Sequence, residues 1–200
     1  MAGSKPIGIL ALQGAVEPHA EKFKKLGIST RLVKNSQQLR DISAIVLPGG
    51  ESSTMVLLLK RFELWEPLRL FAQSKPTWGV CAGSILLAKK VTHPEQSSLA
   101  LMNFEVSRNA YGRQANSFID DISPTNHWPT QYLPPNPLQG VFIRAPKITA
   151  CDQSVSELFY WNEELVMVQQ EHLLASTFHP ELAESTIFHR YFLDLCERYS

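Results

Sequence analysis

Cys81 stands between two glycines in the stretch Thr77-Trp78-Gly79-Val80-Cys81-Ala82-Gly83-Ser84. The residues ahead of it read as the end of a strand, and the small and apolar residues behind it read as a helix. A reactive side chain at a sharp strand-to-helix turn needs small neighbours, because the backbone there is crowded. Such a turn sets the sulfur at a helix N-terminus, where unpaired N–H groups favour a thiolate. An ordinary cysteine is a small buried hydrophobe, so chemistry at Cys81 requires a base from elsewhere. Among six histidines, His179 stands apart because Pro180 and Glu181 follow it. Proline pushes the residue before it toward extended backbone, where residues two apart face the same side. Glu181 is therefore expected to hold one imidazole nitrogen of His179 and leave the other to take a proton from a thiol. Nucleophile, base and orienter form a generalised triad. His19, His93, His127, His172 and His189 lack such a companion and read as surface or packing residues.

Cys81 and His179 are 98 positions apart and can meet only through the fold. Ile7–Leu12 and Ala44–Leu47 are continuous apolar runs, suited to strands buried on both faces. A helix from about Pro18 to Leu26, a strand over Ser29–Val33 and a short helical piece around Ser36–Leu39 lie between them. This order predicts a mostly parallel sheet covered by helices. Pro48-Gly49-Gly50-Glu51-Ser52-Ser53-Thr54 ends the third strand, where α/β proteins place their sites, and leads into a helix through Leu59. Trp65–Gln73 continues the helical layer, and Lys75–Val80 is the strand into the Cys81 turn. Beyond Leu99 the mixed polar and apolar texture predicts antiparallel strands and their loops. Five prolines between Pro124 and Pro137 predict a surface loop. Leu138–Ile143 resumes a strand, Leu165–Gln170 and Leu173–Phe178 form a closing hairpin, and Ser185–Tyr199 is a final helix whose apolar stripe is core. The fold class expected is α/β: one domain over residues 1–200, a three-layer αβα sandwich with a mostly parallel central sheet and an antiparallel extension.

Lys and Arg together equal Asp and Glu at 19 each, so the formal net charge is zero. That balance, with no long run of like charge, argues against a nucleic-acid or membrane partner. Three widely spaced cysteines with no CxxC pair argue against a metal site or a disulfide framework. No signal peptide or apolar run long enough to span a bilayer is visible, and a cytoplasmic protein is expected. The Gly49-Gly50 loop lacks the Gly-Lys-Ser/Thr of a phosphate loop, and Gly8 and Gly14 are too far apart for a dinucleotide fingerprint. Read alone, Arg108 and Arg144 are surface arginines or holders of a substrate carboxylate.

Several segments together resemble the class I glutamine amidotransferases and, more narrowly, the family of glutaminase subunits of pyridoxal 5′-phosphate synthase. They are Leu10–Val16, Leu47–Met55, Gly79–Gly83, Ser107–Gln114, Phe142–Pro146 and Phe178–Leu182. The resemblance implies a flavodoxin-like fold and hydrolysis of L-glutamine to L-glutamate and ammonia by Cys81, His179 and Glu181. It implies a glutamine pocket of Gly49, Gly50, Glu51, Arg108, Ile143 and Arg144, with Gly50 and Ala82 supplying oxyanion donors. Gln13 would face the synthase subunit of a heteromeric complex. No cofactor or metal is implied, because pyridoxal phosphate is the partner's product, made from pentose phosphate, triose phosphate and this ammonia. Two features depart from the common pattern: a longer Pro-rich stretch over about 123–137, and Ser84 in place of a larger apolar residue, read as a packing variant. The rival readings are another cysteine amidohydrolase or peptidase on the same turn, and a non-catalytic chaperone-like homologue. A substrate screen separates the first, and the complete His179/Glu181 pair argues against the second.

Overall fold

The computed structural model describes residues 5–108, 117–133 and 137–199. Four short strands open the architecture: β1 (Ile7–Leu10), β2 (Thr30–Val33), β3 (Ala44–Leu47) and β4 (Thr77–Val80). They pair in parallel in the order β2-β1-β3-β4. On the far side of β4 lies β12 (Leu173–Ser176), again parallel, with Ala175 beside Gly79 and Ser176 beside Val80. The sheet then turns antiparallel through β11 (Glu164–Gln170), β10 (Ser156–Trp161), β7 (Phe118–Pro124) and β8 (Leu138–Phe142), nine strands in all. A second sheet of three strands joins β5 (Ala88–Thr92), β6 (Met102–Ser107) and β9 (Lys147–Cys151).

The alternation of side chains along a strand sorts the two faces. Ile7, Ile9, Ala44, Val46, Trp78 and Val80 pack beneath Phe23 of α1 (Val16–Lys25) and the Phe188, Tyr191, Phe192 and Leu195 stripe of α5 (Ile187–Arg198). Leu10, Val33, Ile45 and Leu47 face α2 (Ser52–Arg61), α3 (Trp65–Ala72) and α4 (Ala82–Leu87) on the other side. Helices on both faces of a sheet whose centre is parallel give the expected three layers. Pro18 falls in the first turn of α1, where its missing N–H has no intrahelical partner to lose. Among the described residues, no helix is long and apolar enough to cross a membrane.

The Pro-rich segment departs from expectation. It contains a turn of 3-10 helix at Thr130–Tyr132, and Trp128 is only 2% exposed. The Trp128 ring packs on Phe159 at 4.7 Å and Tyr191 at 4.4 Å, so an aromatic anchor ties this segment to the core. Of that segment, residues 134–136 lie outside the described residues, as does the 109–114 part of the Arg-Asn-Ala-Tyr-Gly-Arg-Gln stretch.

Candidate active site

Parallel pairing of β4 with β12 brings Cys81 and His179 to one edge, because each follows the carboxyl end of its strand by one and three residues. Cys81 has φ +49° and ψ −104°, a backbone conformation that side chains rarely adopt and that marks functional turns. Its N–H donates to Ser176 O at 2.8 Å, tying the turn to the strand that carries His179. The close approach explains the flanking glycines. A Cβ on Gly83 would lie 2.0 Å from Leu47 O, and one on Gly79 would lie 2.4 Å from Gly83 O. Ser84, read as a packing variant, does more: its hydroxyl is buried and donates to Cys81 O at 2.7 Å.

His179 Nδ1 and Glu181 Oε1 are 2.7 Å apart, and both residues are buried. The ring is held from three sides. Its backbone N–H donates to Val141 O at 2.7 Å, Glu181 fixes Nδ1, and Gly49 lies beneath it, where a Cβ would meet Cε1 at 2.3 Å. Burial opposes charge on His179, but its contacts with Cys81 and Glu181 outweigh burial and raise its pKa to about 10. Burial likewise opposes charge on Glu181, but its bond to His179 and the nearby His19 hold its pKa below the usual carboxylate range. Burial pushes the Cys151 thiol up to about 11 and the Cys196 thiol up to about 12, which leaves both poor nucleophiles at neutral pH.

Of the remaining expected residues, Ile143 and Ala82 adjoin Cys81, while Gln13, Glu51 and Arg108 meet one another at the loop after β3. Ile143 O lies 3.8 Å from the Cys81 sulfur, and Arg144, exposed at φ +45°, follows. Ala82 opens α4, so its N–H has no intrahelical partner. Glu51 caps α2, with Oε1 accepting from Ser53 N–H at 3.2 Å and Oε2 from Thr54 N–H at 2.6 Å. Arg108 donates to Glu51 Oε1 at 3.3 Å and to Ser53 Oγ at 2.7 Å, so its guanidinium is already engaged by the loop it faces. Gln13 braces the same loop from the other side: Nε2 donates to Glu51 O at 3.0 Å, and Glu51 N–H donates to Oε1 at 3.3 Å. A groove of about 960 Å³ near Lys5, Lys25, Lys75 and Arg190 is lined by none of Cys81, His179 and Glu181.

Two histidines read as surface or packing residues are buried, and they also have a polar partnership that the reading missed. His19 is fully buried, with Nε2 3.6 Å from Glu181 Oε2, and His189 Nε2 is 3.1 Å from His19 Nδ1. A sequence signal existed for the burial of His19, though not for its partners. His19, Lys22 and Phe23 are the buried residues of α1 at helical spacing, and two polar residues on that stripe are unusual.

The model of the SNO glutamine amidotransferase family matches residues 9–198. The chain belongs to the SNO glutamine amidotransferase family. Curated relatives of this SNO chain include a Desulforudis audaxviator protein named pyridoxal 5′-phosphate synthase subunit PdxT. It is 44% identical over 192 residues, 96% of this chain and 98% of that one. A protein of the same name from Kosmotoga olearia is 40% identical over 189 residues, covering 94% and 95%. A crystal structure described as a glutamine amidotransferase superposes with TM-score 0.85 at 38% identity, over 96% of this chain and 98% of its own. A glutamine amidotransferase from Thermotoga maritima shares the fold alone, at TM-score 0.60 and 17% identity over 99% and 86%. The SNO frame thus makes this chain a glutamine amidotransferase.

Proposed function

We propose that residues 1–200 form one glutaminase domain, the cytoplasmic subunit of a pyridoxal 5′-phosphate synthase, which hydrolyses L-glutamine and passes ammonia to a synthase subunit. One observation carries the chemistry: the His179 ring, bonded to Glu181 at 2.7 Å, in contact with Cys81 on a strained turn. The names of the relatives support the assembly. In this reading the Cys81 sulfur passes its proton to His179 and attacks the side-chain amide carbon of glutamine. The N–H groups of Gly50 and Ala82 receive the developing oxyanion. His179 gives its proton to the departing nitrogen, ammonia leaves, and a thioester remains. Water, with its proton taken by His179, attacks the thioester and releases glutamate. Glu181 orients the ring and balances its charge throughout.

Gly49, Gly50, Glu51, Arg108, Ile143 and Arg144 line the glutamine pocket in this reading. Glu51 offers its backbone there, because its carboxylate is committed to the α2 cap and Arg108. Gln13 sits where a docked synthase would act on the donor loop, since both ends of its amide hold Glu51. The isolated chain is then expected to be a poor glutaminase that its partner switches on. The test is steady-state glutaminase kinetics of the chain alone and with a synthase subunit. The expected rise in kcat is about 10²–10³, the worth of one oxyanion donor. Cys81→Ala should abolish turnover in both conditions. Activity surviving that substitution would remove the nucleophile, and equal kcat with and without partner would remove the switch.

A further inference from the structure

We propose that His19 and His189 are positioning residues for this site, forming a one-directional hydrogen-bond chain that fixes the carboxylate of Glu181. The inference rests on the glutaminase reading above only for its link to turnover. The geometry stands without it. Glu181 Oε1 is used by His179. Glu181 Oε2, His19 Nε2 and His189 Nδ1 are buried and have no hydrogen-bond partner among the described residues, and the first two face each other at 3.6 Å.

The direction of the chain follows from counting protons. A neutral imidazole has one donor and one acceptor nitrogen. His19 Nδ1 and His189 Nε2 are 3.1 Å apart, so one donates to the other. If His19 Nδ1 were the donor, its bare Nε2 would confront Glu181 Oε2 at 3.6 Å, two lone pairs face to face in the interior. His189 Nδ1–H would then be a buried donor with no acceptor. The reverse arrangement resolves both faults. His189 Nε2–H donates to His19 Nδ1, the His19 proton sits on Nε2 facing Oε2, and only the bare Nδ1 of His189 is unmatched. At 3.6 Å the last step is longer than an N–H···O bond by about half an ångström, and the proposed chain of bonds requires it to close in solution. A second proton on either ring is opposed by burial, which holds both pKa values down to about 3.

The rings cannot easily turn away. Trp78 packs edge-on against His189 at 5.0 Å and against His19 at 5.8 Å. From the same face of α1, Lys22 Nζ donates to the carbonyls of Ala183, Glu184 and Ser185, anchoring the chain just after Glu181. The charged and titratable groups facing the pair are thus Glu181, His179 and Lys22. An apolar residue would fill the place of His19 without desolvating an imidazole. The N–H toward Oε2 is what the histidine adds: with a donor on each oxygen, the carboxylate cannot rotate away from His179.

The test uses the full chain with its synthase subunit. His19→Gln keeps an N–H near the position of Nε2, whereas His19→Met fills similar volume without one. The expected loss in kcat is about threefold for His19→Gln and about 10- to 100-fold for His19→Met. KM for glutamine should change less than about twofold in both. His189→Phe, which frees the tautomer of His19, should fall between them. Alkylation of Cys81 by iodoacetamide across pH 5–9 should follow the same order, and it needs no glutamine turnover. Should His19→Met fail to fold, His189→Phe decides. Wild-type rates in folded His19→Met or His189→Phe, or equal losses for Gln and Met, would overturn the proposal. If the wild type lacks glutaminase activity but the alkylation order holds, the glutaminase reading fails and the positioning role stands.

Discussion

The parallel and antiparallel parts of the large sheet contribute to the site in different ways. In the parallel part, Ile9, Val46, Trp78 and Leu174 have no exposed surface, and each strand has only four residues. Their carboxyl ends carry Gly49, Cys81 and His179, all three buried and linked by backbone bonds or direct contact. In the antiparallel part, β7 leaves most of its residues exposed, Ile119 at 62%. That part supplies carbonyls: Val141 O to the His179 N–H, and Ile143 O beside the Cys81 sulfur. Reactive side chains stand where the sheet is covered on both faces, and the half-solvated part only orients them.

The sharpest way to break this contrast is Gly49→Ala. The new methyl would lie 2.3 Å from His179 Cε1 and must displace the ring, while the strand beneath stays in place. A displacement near 1 Å in such a site costs about 10²-fold in kcat. Kinetics and thermal melting of that variant should show lost turnover with an ordinary melting transition. A kcat within a few-fold of wild type would mean that the loop does not hold the ring.

Of intermediate size is an acid sensitivity rooted in the parallel part. His19 and His189 are depressed from 6.5 to about 3 by burial, with Lys22 adding to the effect on His189. As pH falls below about 6.5, the unfolded chain gains protons that the folded chain refuses, so stability drops down to about pH 3. Each group contributes up to about 1.4 kcal/mol per pH unit in that window. Glu181, whose carboxylate is favoured in the fold, acts in the same direction: its contribution is present above the ordinary carboxylate value and lost as pH falls through the folded one. His179 acts oppositely. Its contribution is complete below 6.5 and disappears as pH rises through about 10. Denaturant midpoints measured from pH 3 to 10 should therefore fall toward both ends. A His19→Gln/His189→Phe double variant that kept the full acid limb would acquit the two histidines.

The smallest effect is expected on the antiparallel side. Ile119 pairs with Val141, whose carbonyl holds His179, yet its side chain points to solvent. Ile119→Ser should change stability by no more than about 0.5 kcal/mol and leave kcat intact. A clear drop in kcat would show that the half-solvated part does more than present carbonyls.

The same contrast explains what can be read in the sequence. Strands covered on both faces are unbroken apolar runs, and β1, β3 and β4 stand out for that reason. The Cys81 turn and His-Pro-Glu are legible because local backbone rules fix their neighbours. Strand β5 carries Lys89 and Lys90, and β7 carries Asp120 and Asp121, so neither shows an apolar run or clean alternation. Trp128 is hidden by the prolines around it, since a segment without periodicity gives no sign of which side chain turns inward. His19 and His189 escape a sequence reading because a partnership between α1, α5 and the turn after β12 is tertiary, and spacing along one element cannot disclose it.

The parallel pairing of β4 with β12 has a consequence for how the protein comes into being. A chain emerging from the ribosome holds Cys81 long before it holds His179, and the chain through Ser176 must follow before β12 can lie beside β4. Long-range parallel closure is among the slower events in folding. A half-made chain thus carries its thiol without the residues that would activate it. Competence arrives late and at once, when β12 slots between β4 and β11.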